Sequence, residues 1–226
     1  MKAVVAFAVL IGSINALPNQ NQYEVPIRDA RLVTGAIESA IRDVAQSIKD
    51  AGLDPLNIKK ESISYALPVP VLFNAAAFVE EILSTGLSKI VINRMNYGLI
   101  TSRLTFDIEL PLINGSIDAI GADVTLFGSN MNVEGSGSIA IRRIRVQGQV
   151  RVSIGIISGI SIRSLSIDFS LDGIDSNLNL AIQGKDYSSP LNTFLGATVP
   201  NTLKAYSSEI NELLEIVLLD ILEDVL

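Results

Sequence analysis

The segment RLTFDIEL, residues 103–110, decides the fold class, because it alternates strictly between apolar and polar residues. The apolar positions are Leu104, Phe106, Ile108 and Leu110. A period of two is typical of a β-strand with one buried face and one solvated face. Pro111 and the Asn114-Gly115 pair come next and predict a turn.

Three stretches farther along the chain repeat this alternation. Their apolar residues are Ile139 and Ile141, continued after Arg142-Arg143 by Ile144 and Val146; then Val150, Val152, Ile154 and Ile156; then Leu165, Ile167, Phe169 and Leu171. Gly, Asn, Asp and Ser separate the stretches, as in turns. The pattern predicts an antiparallel meander rather than a βαβ series, and no change in composition divides it into two domains.

Helical spacing precedes and follows these strands. An apolar stripe predicts an amphipathic helix from about Ile27 to Ala51, and a shorter helix is predicted over Asn74 to Thr85. A C-terminal helix of about 25 residues has the stripe Leu203, Tyr206, Ile210, Leu213, Val217, Ile221 and Val225. We therefore expect an α+β fold: a long curved antiparallel sheet wrapped around a long C-terminal helix, with an N-terminal amphipathic helix.

The N-terminus has the layout of a secretory signal peptide. Lys2 precedes an apolar stretch from Ala3 to Ile14, and Ala16 offers a small residue for cleavage. We expect residues 1–16 to be a signal peptide and residues 17–226 a single domain, so the protein is secreted and extracellular; the alternative is an N-terminal membrane anchor. The sequon Asn114-Gly115-Ser116 predicts a glycosylation site at Asn114.

The composition excludes several classes of function. The 226 residues include no His and no Cys, which excludes a Ser-His-Asp hydrolase, a His-ligated or thiolate metal site, a thiol nucleophile and an intrachain disulfide. The net charge of −7 argues against a nucleic-acid partner. The sequence also contains no Gly-x-Ser-x-Gly elbow, which argues against an esterase or lipase. Carboxylate or lysine chemistry stays open on composition alone, but we expect no catalytic residues, no metal and no cofactor.

The central block LSKIVINRMNYGLITSRLTFDIELP, residues 87–111, resembles that of insect juvenile-hormone-binding and takeout-like proteins. The Gly135-Ser136-Gly137 piece and the segment 191–195 before the C-terminal helix are similar as well. The resemblance covers residues 25–226, and mite group 7 allergens are a second, related possibility. It implies a tubular lipid-binding fold with an apolar tunnel that carries juvenile hormone, fatty acids, terpenoids or similar lipids in haemolymph or sensory fluids.

A tunnel would take its lining from the helix stripes and the inward strand faces. The candidate ligand-binding residues are Ile37, Ile41, Phe73, Phe78, Phe106, Phe127, Phe169, Phe194, Leu203 and Tyr206. For each of them an ordinary core residue is the alternative interpretation. The phenol of Tyr206 is the best polar candidate, and the first helix could act as a lid.

Five arginines occur between Glu134 and Asp168 with no acidic residue among them: Arg142, Arg143, Arg145, Arg151 and Arg163. They would form a docking patch for an anionic membrane or an acidic partner, or they would pair across the sheet with Asp107, Glu109, Asp118 or Asp123. We favour cross-strand pairing.

Two hypotheses of function follow. The first is a non-enzymatic carrier whose partner is one small hydrophobic ligand. The second is a structural or allergen-like secreted protein that engages lipid surfaces or a protein partner through its amphipathic helices.

Overall fold

The first described element is a helix, α1 (Ala30–Asp50), which lies within the range predicted from its apolar stripe. Ile37 and Ile41 on that stripe are buried, and Val44 packs beside them.

The computed structural model describes residues 30–155 and 159–223. The predicted signal peptide and its cleavage site at Ala16 lie outside the described residues, as does Val225 at the end of the predicted C-terminal stripe.

Seven strands follow α1 and form one antiparallel sheet. They are β1 (Leu56–Ala66), β2 (Phe73–Thr85), β3 (Val91–Gly98), β4 (Arg103–Leu126), β5 (Ser129–Gly155), β6 (Gly159–Ile182) and the short β7 (Lys185–Asp186). Their order across the sheet is β1-β2-β4-β5-β6-β7, and β3 also pairs with β4. The antiparallel meander is confirmed for β4, β5 and β6. The second and third alternating stretches both lie in β5, so the turn predicted between them at Gly148 is wrong. Ile156, the last residue of the third stretch, lies outside the described residues.

The central strand β4 changes its partner halfway along. β3 pairs with it from Arg103 to Glu109, and β2 pairs with it from Asn114 to Leu126. Pro111 lies between these two partners, where the missing N–H of proline costs no hydrogen bond to either of them. The turn predicted at Asn114-Gly115 is wrong, because pairing with strands on both sides overrides the local preference of Asn and Gly for turns.

The helix predicted over Asn74 to Thr85 is also wrong, since this segment forms β2. β2 is paired with β1 on one side and with β4 on the other. The apolar residues of the segment fit either period, and the hydrogen bonds to two neighbouring strands select the extended form. Burial alternates along the strand, with Phe73, Ala75, Ala77 and Val79 half-buried and the residues between them exposed.

The C-terminal region contains three α-helices, α2 (Ser188–Thr193), α3 (Val199–Ala205) and α4 (Ser207–Glu223), with a π-helical turn between α2 and α3. The predicted long helix is interrupted at Tyr206, whose backbone has φ −107° and ψ 27°. Within α4 the buried side chain is Leu218, whereas Leu213 on the predicted stripe is 59% exposed. α4 is apolar on more than one side, so its sequence does not single out the buried face.

Side chains from the C-terminal helices bind the free edge of β6. Glu215 accepts a hydrogen bond from the N–H of Ile167 at 2.8 Å, and Asn211 accepts one from Phe169 at 2.9 Å. Asn192 both accepts from the N–H of Leu178 and donates to its carbonyl. The backbone groups of an edge strand are thereby satisfied without a further strand.

The hydrophobic core lies at one end of the sheet. It is built from α1, the first half of β4, the facing parts of β3, β5 and β6, and α4; its buried members are Ile37, Ile41, Tyr97, Leu104, Phe106, Ile108, Val150, Leu165, Ile167 and Leu218. Pairing places Leu104, Val150 and Leu165 in one row across three strands. The alternation in residues 103–110 correctly predicts which face of β4 is buried.

Register shifts interrupt three of the strand pairs, between Ile92 and Arg94, between Ile117 and Ile120, and between Arg151 and Val152. Such bulges bend strands and increase their twist.

The observed fold is of the expected α+β class, with a large antiparallel sheet and helices before and after it in the chain. Among the described residues, no helix has the length and hydropathy needed to cross a membrane.

Candidate ligand-binding surface

The ten candidate residues fall into separate places in the fold. Ile37, Ile41 and Phe106 lie together in the core, with Ile41 only 1% exposed. Phe106 lies against Gly148, where a Cβ atom would meet the carbonyl oxygen of Ser166 at 2.1 Å and the Phe106 ring at 3.0 Å. These three residues fill a close-packed interior.

Two other candidates are half-buried outside the core. Phe169 on β6 shares a row with Val146 and Ile108. Leu203 belongs to α3 on the far side of the break at Tyr206. Neither residue is in the core cluster of buried side chains.

The remaining five candidates lie away from the core. Phe73 is half-buried, and its ring centroid is 6.1 Å from that of Tyr65. Phe78 lies over Gly121, which has no side chain to obstruct the ring. The exposed aromatic residues Phe127, Phe194 and Tyr206 complete the set, with Phe127 at 77% exposure. The ten residues therefore do not line one common space.

The end of the sheet opposite the core presents a second apolar surface, which we call the far apolar face. It consists of Ile63, Tyr65, Ala75, Ala77, Ala122, Val124, Met131 and Val133. Register places Ile63, Ala77, Ala122 and Val133 in one row and Tyr65, Ala75, Val124 and Met131 in the next.

The far apolar face is open to solvent. Ile63 is 74% exposed, and Tyr65 and Met131 are exposed as well, whereas the other five residues of the face are half-buried. Within the described residues, α1 packs on β3 and the C-terminal helices pack on β6, away from β1 and β2. Sequence reasoning missed this face because β2 was assigned to a helix, although the alternation of Ser62 and Ser64 with Ile63 and Tyr65 was visible.

An open cavity of about 310 Å³ lies across the middle of β2, β4, β5 and β6. Its lining includes Thr85, Asn114, Ser116, Asp175 and Asn177. Asn114, the residue of the sequon, is exposed there. The lining also includes the apolar residues Leu83, Ile139 and Ala140.

Three arginines of the predicted cluster make ion pairs across the sheet. Arg145 donates two hydrogen bonds to Asp107, from Nε at 2.8 Å and from a terminal nitrogen at 2.5 Å. Arg143 lies 2.9 Å from Asp172, and Arg142 pairs with Asp175. Cross-strand pairing is confirmed for these three residues, and Arg145 has one of the predicted partners.

Two carboxylates are held in their charged form by these and similar contacts. Hydrogen bonds from Arg145 lower the pKa of Asp107, against the opposing effect of its burial. Burial raises the pKa of Asp54, but hydrogen bonds from Ser88 and Gly86 outweigh it, so the pKa is below its ordinary value. Asp54 thereby secures the turn between β2 and β3. Among the described residues, no group of three or more acidic side chains could hold a metal ion.

Comparison with known structures gives low-identity similarities. The takeout 1 protein of Epiphyas postvittana is 14% identical, with 88% of this chain and 92% of that chain covered and a TM-score of 0.45. A lipopolysaccharide binding protein is 11% identical, with 81% of this chain and 39% of that chain covered and a TM-score of 0.27. A search of curated proteins returned no significant match.

The family comparison covers nearly the whole chain. The model of the haemolymph juvenile hormone binding protein family matches residues 4–226, which include every described helix and strand. The match agrees with the resemblance of residues 87–111, which contain β3 and the start of β4. The chain belongs to the haemolymph juvenile hormone binding protein family.

Proposed function

We propose that this protein is a secreted, non-enzymatic carrier of one small hydrophobic molecule: a juvenile-hormone-like terpenoid, a fatty acid or a similar lipid. In this proposal residues 1–16 are removed as a signal peptide, and residues 17–226 form the carrier domain. Family membership supports the class of ligand. The observation that carries the proposal is the far apolar face. It is a contiguous apolar surface with exposed side chains, and it lies at the end of the sheet opposite the core.

The energetics favour an apolar ligand on this face. Burial of apolar surface contributes about 25 cal/mol per Å², so a lipid chain that covers side chains such as Ile63 and Tyr65 gains affinity without many polar contacts. Exposed apolar patches of this kind often mark sites of ligand or partner binding. We propose that the candidates Phe73 and Phe127 at this end contact the ligand, whereas Ile37, Ile41 and Phe106 support the fold.

Native mass spectrometry of the protein purified from its own tissue, followed by organic extraction, tests the carrier function. We expect one co-purifying lipid per chain. The contrary result is an empty protein that also fails to take up fatty acids, terpenoids or juvenile-hormone analogues.

Replacement of Ile63 by Asp tests the location of the ligand. We expect affinity for a fluorescent fatty acid to fall by about 10- to 150-fold, because the change removes apolar contact worth about 1.5–3 kcal/mol. Ile100→Asp is the matched control, since Ile100 is 102% exposed in the turn between β3 and β4. Equal losses in both variants would exclude the far apolar face.

The exposed row on α4 favours a second candidate function, contact with a lipid surface or a protein partner. Leu213 and Ile216 are exposed on the side of α4 away from the Asn211 and Glu215 contacts to β6, and Tyr206 is exposed just before α4. Flotation with phosphatidylcholine vesicles tests this function. Vesicle binding by wild type that Leu213→Asp abolishes would support it, and wild-type protein that stays unbound would exclude it.

A further inference from the structure

A cleft of about 240 Å³ lies on the polar face of the sheet, behind the core. Arg103, Gln149, Arg151, Ser164 and Ser166 line it, and all five side chains can donate hydrogen bonds. Arg103 is half-buried, and the other four are exposed. No acidic residue is part of this lining.

Strand register brings the two arginines of the cleft together. Arg103 on β4 is directly opposite Arg151 on β5, and Arg151 is opposite Ser164 on β6. The adjacent row on the same face contains Gln149 and Ser166. Like charges directly opposite on neighbouring strands are destabilising, so this arrangement needs a compensating group.

The other arginines of β5 have their compensating groups within the sheet. Arg142, Arg143 and Arg145 are each paired with an aspartate. Among the described residues, the side chains of Arg103 and Arg151 take part in no ion pair or hydrogen bond. Neither the row that contains them nor the adjacent row on the same face has an acidic residue. The nearest acids along these strands, Asp107 and Asp168, lie one row farther on.

We propose that this cleft binds a phosphate-type oxyanion between Arg103 and Arg151. Guanidinium groups present paired N–H donors that match the oxygens of phosphate, and the Gln149 amide and two serine hydroxyls supply further donors. The anion is either a soluble phosphate or the phosphate headgroup of a lipid. This site goes beyond the carrier function and is separate from it, because Arg103 and Arg151 alternate with the core residues Leu104 and Val150 on the opposite face of the sheet.

Isothermal titration with inorganic phosphate at constant ionic strength tests the proposal on the full secreted chain. We expect saturable binding of one phosphate, and we expect Arg103→Gln and Arg151→Gln each to weaken it about tenfold, because each removes a charge-assisted pair of hydrogen bonds. Arg143→Gln is the matched control: it removes one charge from the same strand at a residue already paired with Asp172. We expect it to change the affinity less than twofold.

One further comparison distinguishes a lipid headgroup from a soluble phosphate, and one further variant controls for loss of folding. Flotation with phosphatidylcholine vesicles containing phosphatidic acid, set beside titration with glycerol 3-phosphate, separates a lipid headgroup from a soluble phosphate. Arg103→Lys keeps the charge without the guanidinium fork, so partial weakening is expected even if a Gln variant folds poorly. The proposal is overturned if wild type shows no saturable phosphate binding, or if Arg143→Gln weakens binding as much as Arg151→Gln.

Discussion

Asp107 illustrates how one residue can be assigned from the sequence and then refined by the structure. Its place in the alternating segment 103–110 predicted a solvated position and an arginine partner. It is instead buried beneath the two hydrogen bonds from Arg145, with Asn93 as a further donor at 3.4 Å. A buried carboxylate is stable only with such partners.

The pH dependence of stability should report the Asp107 contact. The pKa of Asp107 in the folded protein is below its ordinary value of 3.8, so its contribution is present above that value and is lost as pH falls through the lower, folded pKa. Asp107→Asn should therefore lower the melting temperature at pH 7 and flatten the fall in stability as the pH drops below about 4. Thermal melts across this range test it, with the exposed Asp118→Asn as control. If stability falls at acid pH as steeply in Asp107→Asn as in the wild type, the predicted contribution of Asp107 is refuted.

Ile41 tests the location of the core. Because this side chain is almost fully buried, Ile41→Ala should reduce the free energy of unfolding by about 2–5 kcal/mol. The exposed Ile100→Ala should change it by less than about 0.5 kcal/mol. Urea unfolding measures both. If the free energy of unfolding falls no more in Ile41→Ala than in Ile100→Ala, α1 is not part of the core. That result would favour the hypothesis that α1 acts as a lid.

At the scale of elements, the edge of β6 explains how a long sheet avoids an open edge. The C-terminal helices reach β6 through polar side chains, with Asn192, Asn211 and Glu215 each accepting a hydrogen bond from its backbone. Polar residues on an amphipathic helix would ordinarily be assigned to solvent. Here they connect the helices to the strand, while Leu218 supplies the apolar contact.

Asn192→Ala should weaken this connection locally. It removes the hydrogen bond accepted from the Leu178 N–H at 2.9 Å and the one donated to the Leu178 carbonyl at 2.7 Å, at a cost of about 1–3 kcal/mol. Amide hydrogen exchange at Leu178 should accelerate. Asn192→Asp keeps the acceptor for the N–H and should show a smaller acceleration at Leu178. Unaltered exchange at Leu178 in the alanine variant would show that the contact does not protect the edge.

At the scale of the whole molecule, the protein is asymmetric. One end of the sheet contains the core, to which α1 and α4 contribute side chains, whereas the other end exposes residues of the far apolar face. In the proposed carrier function, the far apolar face binds the ligand. Its stability should therefore depend on whether the ligand is bound.

Delipidation and reloading measure this dependence. At a free ligand concentration one hundred times Kd, binding contributes about 2.7 kcal/mol, which corresponds to a rise in Tm of roughly 5–10 °C for a chain of this size. Ile63→Asp should remove at least about half of the rise at the same ligand concentration. It should leave the Tm of the empty protein unchanged, because Ile63 is exposed in the empty protein. A rise of wild-type size in Ile63→Asp would place the ligand elsewhere.

Local periodicity alone predicted α1, the alternation of residues 103–110, and the strand that begins near Leu165, because a buried face repeats within a few residues in each case. The sequence also indicated Asp107 as one of four possible partners of the five arginines, and Arg145 pairs with it. The resemblance of residues 87–111 predicted the family. These inferences depend on neighbours within a segment or on a recognisable motif.

Tertiary pairing decided what short-range patterns left ambiguous. Residues 74–85 became a strand, and β4 continued through Pro111 and Asn114, because partners far away in sequence supplied the hydrogen bonds. The far apolar face and the Arg103–Arg151 row exist only through register, which depends on contacts between strands distant in sequence. A sequence shows which side chains alternate, whereas the packed sheet determines which of them meet and which remain open to a ligand.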